Sequence, residues 1–369
     1  MRLFKRMARA AAVSVMTAAV LLSAADVSAY GDDVSIKLGG TTVTFELRYP
    51  VITKHDWDLY VPKDTDLFGR KRMEVVSAET RPPYFILNRK FMFMPVRIDA
   101  AAAVSYAGII DRVSEAVPGT NVYSMIVPDA YELYAPAEYS TGQLEMIEYI
   151  YRRLEHAVPV DITRALTVHS DEKIYFDTDH HWTHRGAYYA WEYFAGLKGM
   201  SIAPLSEFEN RSAYFTGSFA RELTGAERTG LLERDTELLE RFMPVYETEA
   251  SAYADMYMNE RIYSIRTVNP NEDSYLCFIG GDNPLTVIKS GVSNGKSIAI
   301  IKESVGNPLV TWAVSNYENV YAIDVRGFKD GSFDIGAFCG HYGIDDLLIE
   351  SYPESIASAD LRGYLEGLI

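Results

Sequence analysis

The chain has 369 residues, a formal net charge of −16, 48% hydrophobic residues and 26 tyrosines. That acidity argues against a nucleic-acid partner, since phosphate binding needs clustered Lys and Arg, and the apolar content is that of a foldable globular chain, not a disordered one. Cys277 and Cys339 are its two cysteines, compatible with one disulfide or with two buried thiols.

Met1 to Ala29 reads as a signal peptide. Arg2, Lys5, Arg6 and Arg9 form a basic start, Ala10 to Leu22 an apolar core, and Val27-Ser28-Ala29 a small-residue cleavage site. The expected protein is exported, extracellular or in the cell envelope, with an uncleaved signal anchor as the other option. Removing the segment takes away four basic residues and one acidic residue and moves the charge from −16 to −19.

Residues 30–83 are expected to be an N-terminal extension, partly β. Val34 to Tyr49 alternates in short apolar runs around Gly39-Gly40, as a hairpin does, and Asp56 to Pro83 is charged and rich in turns. The main domain is expected over 84–369. Tyr84 to Val96 is strand-like, Ala100 to Ala116 helical, and Asn121 to Val127 a buried strand by its continuous apolar character. Ser140 with Gln143 suggests a capping box for a helix running to about His156, and Val158 to Ile162 a further strand. Strands alternating with helices predict an α/β layered fold with a mostly parallel sheet.

Tyr175 to Met200 concentrates the chemistry. His180, His181 and His184 fall within five residues, behind Asp177 and Asp179 and beside Trp182. Tyr175-Phe176 reads as a strand end and Gly186 to Leu197 as a helix, which puts the Asp/His group on a strand-to-helix loop. A carboxylate there orients an imidazole and stabilises its protonated form, as a general base requires. About 203–272 is less regular and is expected to be an inserted peripheral region beside the site.

Regular α/β punctuation returns with the strand Ile298 to Ile301, followed by Lys302-Glu303-Ser304-Val305-Gly306-Asn307-Pro308 and a helical run, Leu309 to Tyr317. Asn307 suits a helix N-cap and Pro308 the first turn. Ser304 therefore sits between a strand end and a helix start, where neighbouring N–H groups stabilise an oxyanion. A lone serine in that place is more often a cap or turn residue. Its weight comes from the Asp/His loop elsewhere in the same kind of sheet.

TDHHWTHRGAYYA, Thr178 to Ala190, resembles the signature of the DHHW proteins, exported bacterial proteins related to the SGNH-hydrolase-like alginate O-acetyltransferases of the AlgX and AlgJ type. The resemblance extends from about Tyr84 to Ser351 through VYSMIVPDAYELYAP, Gly217-Ser218, GGDNPLTVI, IIKESVGNPLV and YAIDVR. It implies a flavodoxin-like SGNH sheet carrying a Ser-His-Asp triad in permuted order. In that triad Asp179 orients His181, His181 deprotonates Ser304, and Ser304 carries a transient acyl group. Where the resemblance leads one to expect Lys-Asp-Ser, this chain has Lys302-Glu303-Ser304. Val305 N–H and the Asn307 side chain are oxyanion candidates, and His180, Trp182 and Arg326 substrate candidates. Arg326 reads rather as the partner of an internal carboxylate, and Trp182 and Tyr188 as core residues more than as a sugar-stacking platform.

The expected function is transfer or removal of acetyl groups on a cell-envelope or secreted polysaccharide, with no cofactor. A membrane-bound acetyl-donor protein is a partner by family analogy only. Two other readings stay open. Asp177, Asp179, His180, His181 and His184 are all potential zinc ligands, although adjacent histidines rarely face one ion. A non-catalytic polysaccharide-binding protein could keep the same motif.

Overall fold

The structure is a computed structural model that describes residues 75–369 apart from 137–138 and 329–331, together with the backbone of three strands within residues 26–46. The chain divides into two compact units, Met1–Val61 and Pro62–Ile369.

In the first unit β1 (Asp26–Tyr30), β2 (Asp33–Leu38) and β3 (Thr41–Glu46) form an antiparallel meander. The hairpin read around Gly39-Gly40 is β2–β3. β1 runs through Val27-Ser28-Ala29, which sequence reasoning assigned to a cleavage site. The basic and apolar parts of the signal peptide, and all of residues 47–74, lie outside the described residues.

The second unit opens with a small antiparallel sheet of β4 (Ala78–Arg81), β5 (Tyr84–Leu87) and β6 (Phe91–Phe93). Asn88 and Arg89 both adopt φ of 54° at its tight turn, the left-handed conformation of a short hairpin loop. The strand expected over Tyr84 to Val96 is thus a hairpin, and β4 pairs across the boundary placed at 83.

The main sheet has eight strands: β7 (Asn121–Ile126), β8 (Val158–Pro159), β11 (Thr248–Tyr253), β12 (Arg261–Ile265), β13 (Leu285–Ser290), β14 (Ser297–Ile301), β15 (Asn319–Ile323) and β16 (Asp346–Ser351). β9 (Ala213–Phe215) and β10 (Glu237–Leu239) pair separately. The order is β12-β11-β13-β15-β14-β16-β7-β8, parallel from β15 to β8 and antiparallel across the β13, β11 and β12 edge. This is the mostly parallel α/β fold expected. All five residues of β14 are buried, as a strand covered on both faces requires.

The helix Ala100–Ala116 forms where its pattern predicts. Asp99 accepts from the Ala102 N–H at 2.7 Å, and Ala103, Tyr106, Ile110 and Val113 form its buried stripe. Ile110 and Val113 each contribute roughly 1.5–3 kcal/mol by leaving water. The Ser140/Gln143 capping box is not formed. Gly142 occupies the N-cap at φ 77°, while Gln143 bonds Asp129 and Ser140 bonds Glu132. That helix ends at Tyr151, and only Val158 and Pro159 of the expected 158–162 strand pair. Buried acceptors nearby won over the local capping preference.

The region expected as an insertion contributes β11 and β12 to the main sheet as well as β9, β10 and the short helices Ser218–Glu222 and Gly225–Leu231. Cys277 and Cys339 are buried, unpaired thiols. No helix among the described residues is long and apolar enough to cross a membrane.

Candidate active site

The Asp/His loop is held at both ends. Tyr175 and Trp182 form an isolated antiparallel bridge in place of the expected strand end, and Thr183 caps the helix His184–Leu197 through the Gly186 N–H at 3.2 Å. Glu237 of β10 accepts from the backbone N–H groups of Asp177 and Thr178 at 2.6 and 2.8 Å. A Cβ on Gly186 would lie 2.3 Å from the Ile174 carbonyl oxygen, so only glycine permits this close return of the chain.

On that loop His181 stands between a carboxylate and a hydroxyl. Its Nδ1 lies 2.5 Å from Asp179 Oδ1 and its Nε2 2.9 Å from Ser304 Oγ. Asp179 and His181 are buried and Ser304 is half-buried. Asp179 Oδ1 also accepts the His181 N–H at 3.0 Å, and Oδ2 accepts the Ser218 N–H at 2.6 Å. Burial pushes the Asp179 carboxyl up, but the adjacent His181, its hydrogen bond, His180 and the Ser218 N–H together hold it well below its ordinary range. An ionised Asp179 fixes the proton on His181 Nδ1 and leaves Nε2 to accept from Ser304.

Ser304 begins a single 3-10 turn, Ser304–Gly306, between β14 and the helix Asn307–Ala313. This turn packs tightly: a Cβ on Gly306 would lie 2.6 Å from Lys302 Cβ and 2.7 Å from Glu350 Oε2. Trp182 Nε1 donates to the Val305 carbonyl at 2.6 Å and Tyr275 Oη at 3.3 Å. These bonds tie the Ser304 turn to both flanking loops. Val305 is buried directly after the serine.

Other predicted residues fall differently. Asn307 is not the helix cap. Gly306 holds that position, and Asn307 Nδ2 donates to Asp282 Oδ1 at 3.0 Å. Asp282 also accepts from Lys302 Nζ at 3.1 Å and from Arg326 at 3.1 Å, and Arg326 also donates to Asp324. Trp182 and Tyr188 are 0% and 2% exposed, so both pack as core residues, and Trp182 presents no ring face to a substrate. His180 is half-buried beside His181, its Nδ1 3.1 Å from Ser218 Oγ, and burial lowers it to about 4.

The histidine cluster does not act as one ligand set. His184 lies in the core, accepting from the Phe242 N–H at 3.0 Å and bonding Thr311 Oγ1 at 2.8 Å, and Asp177 pairs with Lys173 at 2.5 Å. Asp179, His180 and His181 could bring one donor atom each within 4.8 Å of one another. The Asp179 oxygens and His181 Nδ1 already bond each other and Ser218, so an ion there would have to displace those bonds.

Sequence reasoning missed Tyr275, Asp282 and the backbone role of Ser218. Tyr275 stacks on His181 with centroids 3.7 Å apart at 18°. Gly217-Ser218 and the Gly280 to Ile288 string carried a signal, but no local pattern tied them to the Asp/His loop.

Fold and site together define an α/β protein with a strand-end serine facing an Asp/His loop. The family model for DHHW proteins matches residues 96–323, and the chain belongs to that family. The structure of a DHHW family protein from Eubacterium siraeum is similar, with 24% identity over 79% of this chain and 98% of that chain and a TM-score of 0.66. Bacillus cereus PatB1, solved with a sulfonyl adduct, shares 16% identity over 78% of this chain and 98% of that chain, TM-score 0.60. These likenesses show a common fold. The O-acetyltransferase domain of Pseudomonas putida AlgJ overlaps at a TM-score of 0.41, with 12% identity over 80% of this chain and 99% of that chain. A search of curated proteins returned no match.

Proposed function

We propose that this chain is an exported serine O-acetyltransferase or acetylesterase that acts on a cell-envelope or secreted polysaccharide. One observation carries the reading: His181 bridges Asp179 and Ser304 at 2.5 and 2.9 Å, with Asp179 and His181 on one anchored loop and Ser304 on another. That is the hydrogen-bond chain of an activated serine. The sulfonyl adduct on PatB1 adds support, since sulfonylation is a reaction of activated nucleophiles and that protein shares the fold.

In the proposed reaction Ser304 Oγ attacks the acetyl carbonyl as its proton passes to His181 Nε2. Asp179, ionised throughout, stabilises the imidazolium. His181 then protonates the departing donor oxygen, leaving acetyl on Ser304. A sugar hydroxyl or water, deprotonated by His181, attacks that ester and restores the serine. The Val305 N–H and the second Nδ2 hydrogen of Asn307 are the candidate oxyanion donors. Acetyl supply by a membrane-bound donor protein follows from family analogy.

The test is p-nitrophenyl acetate cleavage by the purified protein beside Ser304→Ala and His181→Ala. Activity that falls about a thousandfold or more in both variants supports the triad. Three equally active or equally inactive proteins remove its support and make polysaccharide binding the better account. Product analysis with an added oligosaccharide separates transfer from hydrolysis.

A further inference from the structure

The loop 275–283 faces two ways. On one side Tyr275 lies on His181 and Asp282 holds Asn307 and Lys302. On the other side the intervening Leu276 and Gly280 line a cleft of about 520 Å³, closed by Tyr263 at the edge strand β12 and by Arg266, Asn269 and Glu272. That volume lies within the roughly 300–1,000 Å³ of small-ligand clefts.

The cleft combines a fixed aromatic ring with hydroxyl-binding groups. Tyr263 is 44% exposed, yet its hydroxyl is tied to Asn283 Oδ1 at 2.5 Å, so the ring cannot swing away. Leu276, 57% exposed between buried Tyr275 and Cys277, adds apolar surface. Gly280 and Gly281 adopt φ of 71° and 90°. A Cβ on Gly281 would lie 2.7 Å from Leu276 Cδ2, and one on Gly280 3.2 Å from Ile265 Cγ2, so side chains there would push into the cleft wall. Arg266 and Glu272 offset each other's charge, and Asn269 offers both a donor and an acceptor.

We infer that this cleft is a subsite for a neutral pyranose ring of the acceptor glycan, stacked on Tyr263 and Leu276 and hydrogen-bonded by Asn269, Glu272 and Arg266. An apolar ring face with a rim of hydroxyls matches that lining, whereas a uronate chain would meet Glu272 without a surplus of positive charge. The identity of the occupant rests on the function proposed above. The loop 275–283 links the subsite to the nucleophile, so a chain gripped there is held on the same rigid segment that supports His181.

Binding can be measured without turnover. Ser304→Ala protein is titrated calorimetrically with chitohexaose, cellohexaose and hexamannuronate, beside the same protein carrying Tyr263→Ala or Leu276→Asp, each checked for an unchanged thermal transition. Saturable binding of a neutral hexasaccharide, weakened about tenfold or more by either substitution, is the expected result. Preference for hexamannuronate, no binding of any of the three, or binding unaffected by both substitutions overturns the subsite. Wild-type cleavage of p-nitrophenyl acetate, measured in parallel, fails only if the catalytic reading is wrong, so the two ideas fall separately.

Discussion

Tyr275 lies nearly parallel to the His181 imidazole, with ring centroids 3.7 Å apart, and its hydroxyl donates to the Val305 carbonyl directly behind Ser304. One side chain thus braces both the His181 ring and the Ser304 turn. Tyr275→Ala should lower kcat for p-nitrophenyl acetate about tenfold or more and destabilise the fold by roughly 3–5 kcal/mol, the usual cost of truncating a buried aromatic. Tyr275→Phe keeps the stack and loses one long hydrogen bond, about 1 kcal/mol, with kcat within a few fold of wild type. Equal kcat losses in the two variants would show that the hydroxyl, not the stack, matters.

Gly217 is where the chain beyond the Asp/His loop returns to touch Thr178 and Asp179. A Cβ there would lie 2.2 Å from the Thr178 carbonyl oxygen, and the next residue donates its N–H to Asp179 Oδ2. Its φ of −60° is ordinary, so the constraint is space. Gly217→Ala should cost about 1–3 kcal/mol through overpacking and lower kcat at least tenfold by pulling Ser218 away from Asp179. Chemical denaturation and esterase kinetics read the two effects, and a fully active, equally stable variant would refute them.

What could be read in advance follows the range of the forces involved. The helix Ala100–Ala116, the buried strand β14 and the serine at its end were legible because periodicity and strand-helix punctuation are local. The density of Asp and His on the loop was legible too, but the choice of Asp179, His181 and Trp182 among them came from the resemblance to DHHW proteins, since composition alone left Asp177, His180 and His184 open. Ser218, Tyr275 and Asp282 were not, because they reach the site from loops 39 to 103 residues further along, numbered against Asp179, and nothing in their own neighbourhoods requires it. Asn307 was misread where a local rule met a tertiary competitor: its amide bonds Asp282, and Gly306 takes the cap. The antiparallel edge β11–β12 was likewise hidden, since its residues are mixed in polarity.

His184 gives a prediction about pH. It is buried, and burial pushes its imidazole well below the ordinary histidine value. The Phe242 N–H donates to its Nδ1, so a second proton has no room there. The folded protein keeps His184 neutral while the unfolded chain protonates it below about pH 6.5. The stability this residue contributes is therefore complete above that value and is lost as pH falls, by about 1.4 kcal/mol per pH unit at the limit. His184→Asn should be less stable at pH 7 but lose less on going to pH 5. Urea unfolding at both pH values decides it, and equal slopes for the two proteins would contradict a neutral buried His184.

Glu303 stands where the resemblance leads one to expect aspartate, and its length has a use. Its Oε1 accepts the Tyr352 N–H at 3.0 Å and bonds the Ser355 hydroxyl, which fastens the residue before Ser304 to the chain leaving β16. Burial raises its carboxyl, and those two bonds partly offset the rise. Glu303→Asp, one methylene shorter, withdraws the acceptor and leaves an inward N–H unpaired, at a cost of roughly 1–3 kcal/mol. Glu303→Gln keeps the length and a carbonyl acceptor for both donors. The expected order of melting temperature and of kcat is wild type, then Gln, then Asp. If Asp proved better tolerated than Gln, the negative charge of Glu303 rather than its reach would be what positions Ser304.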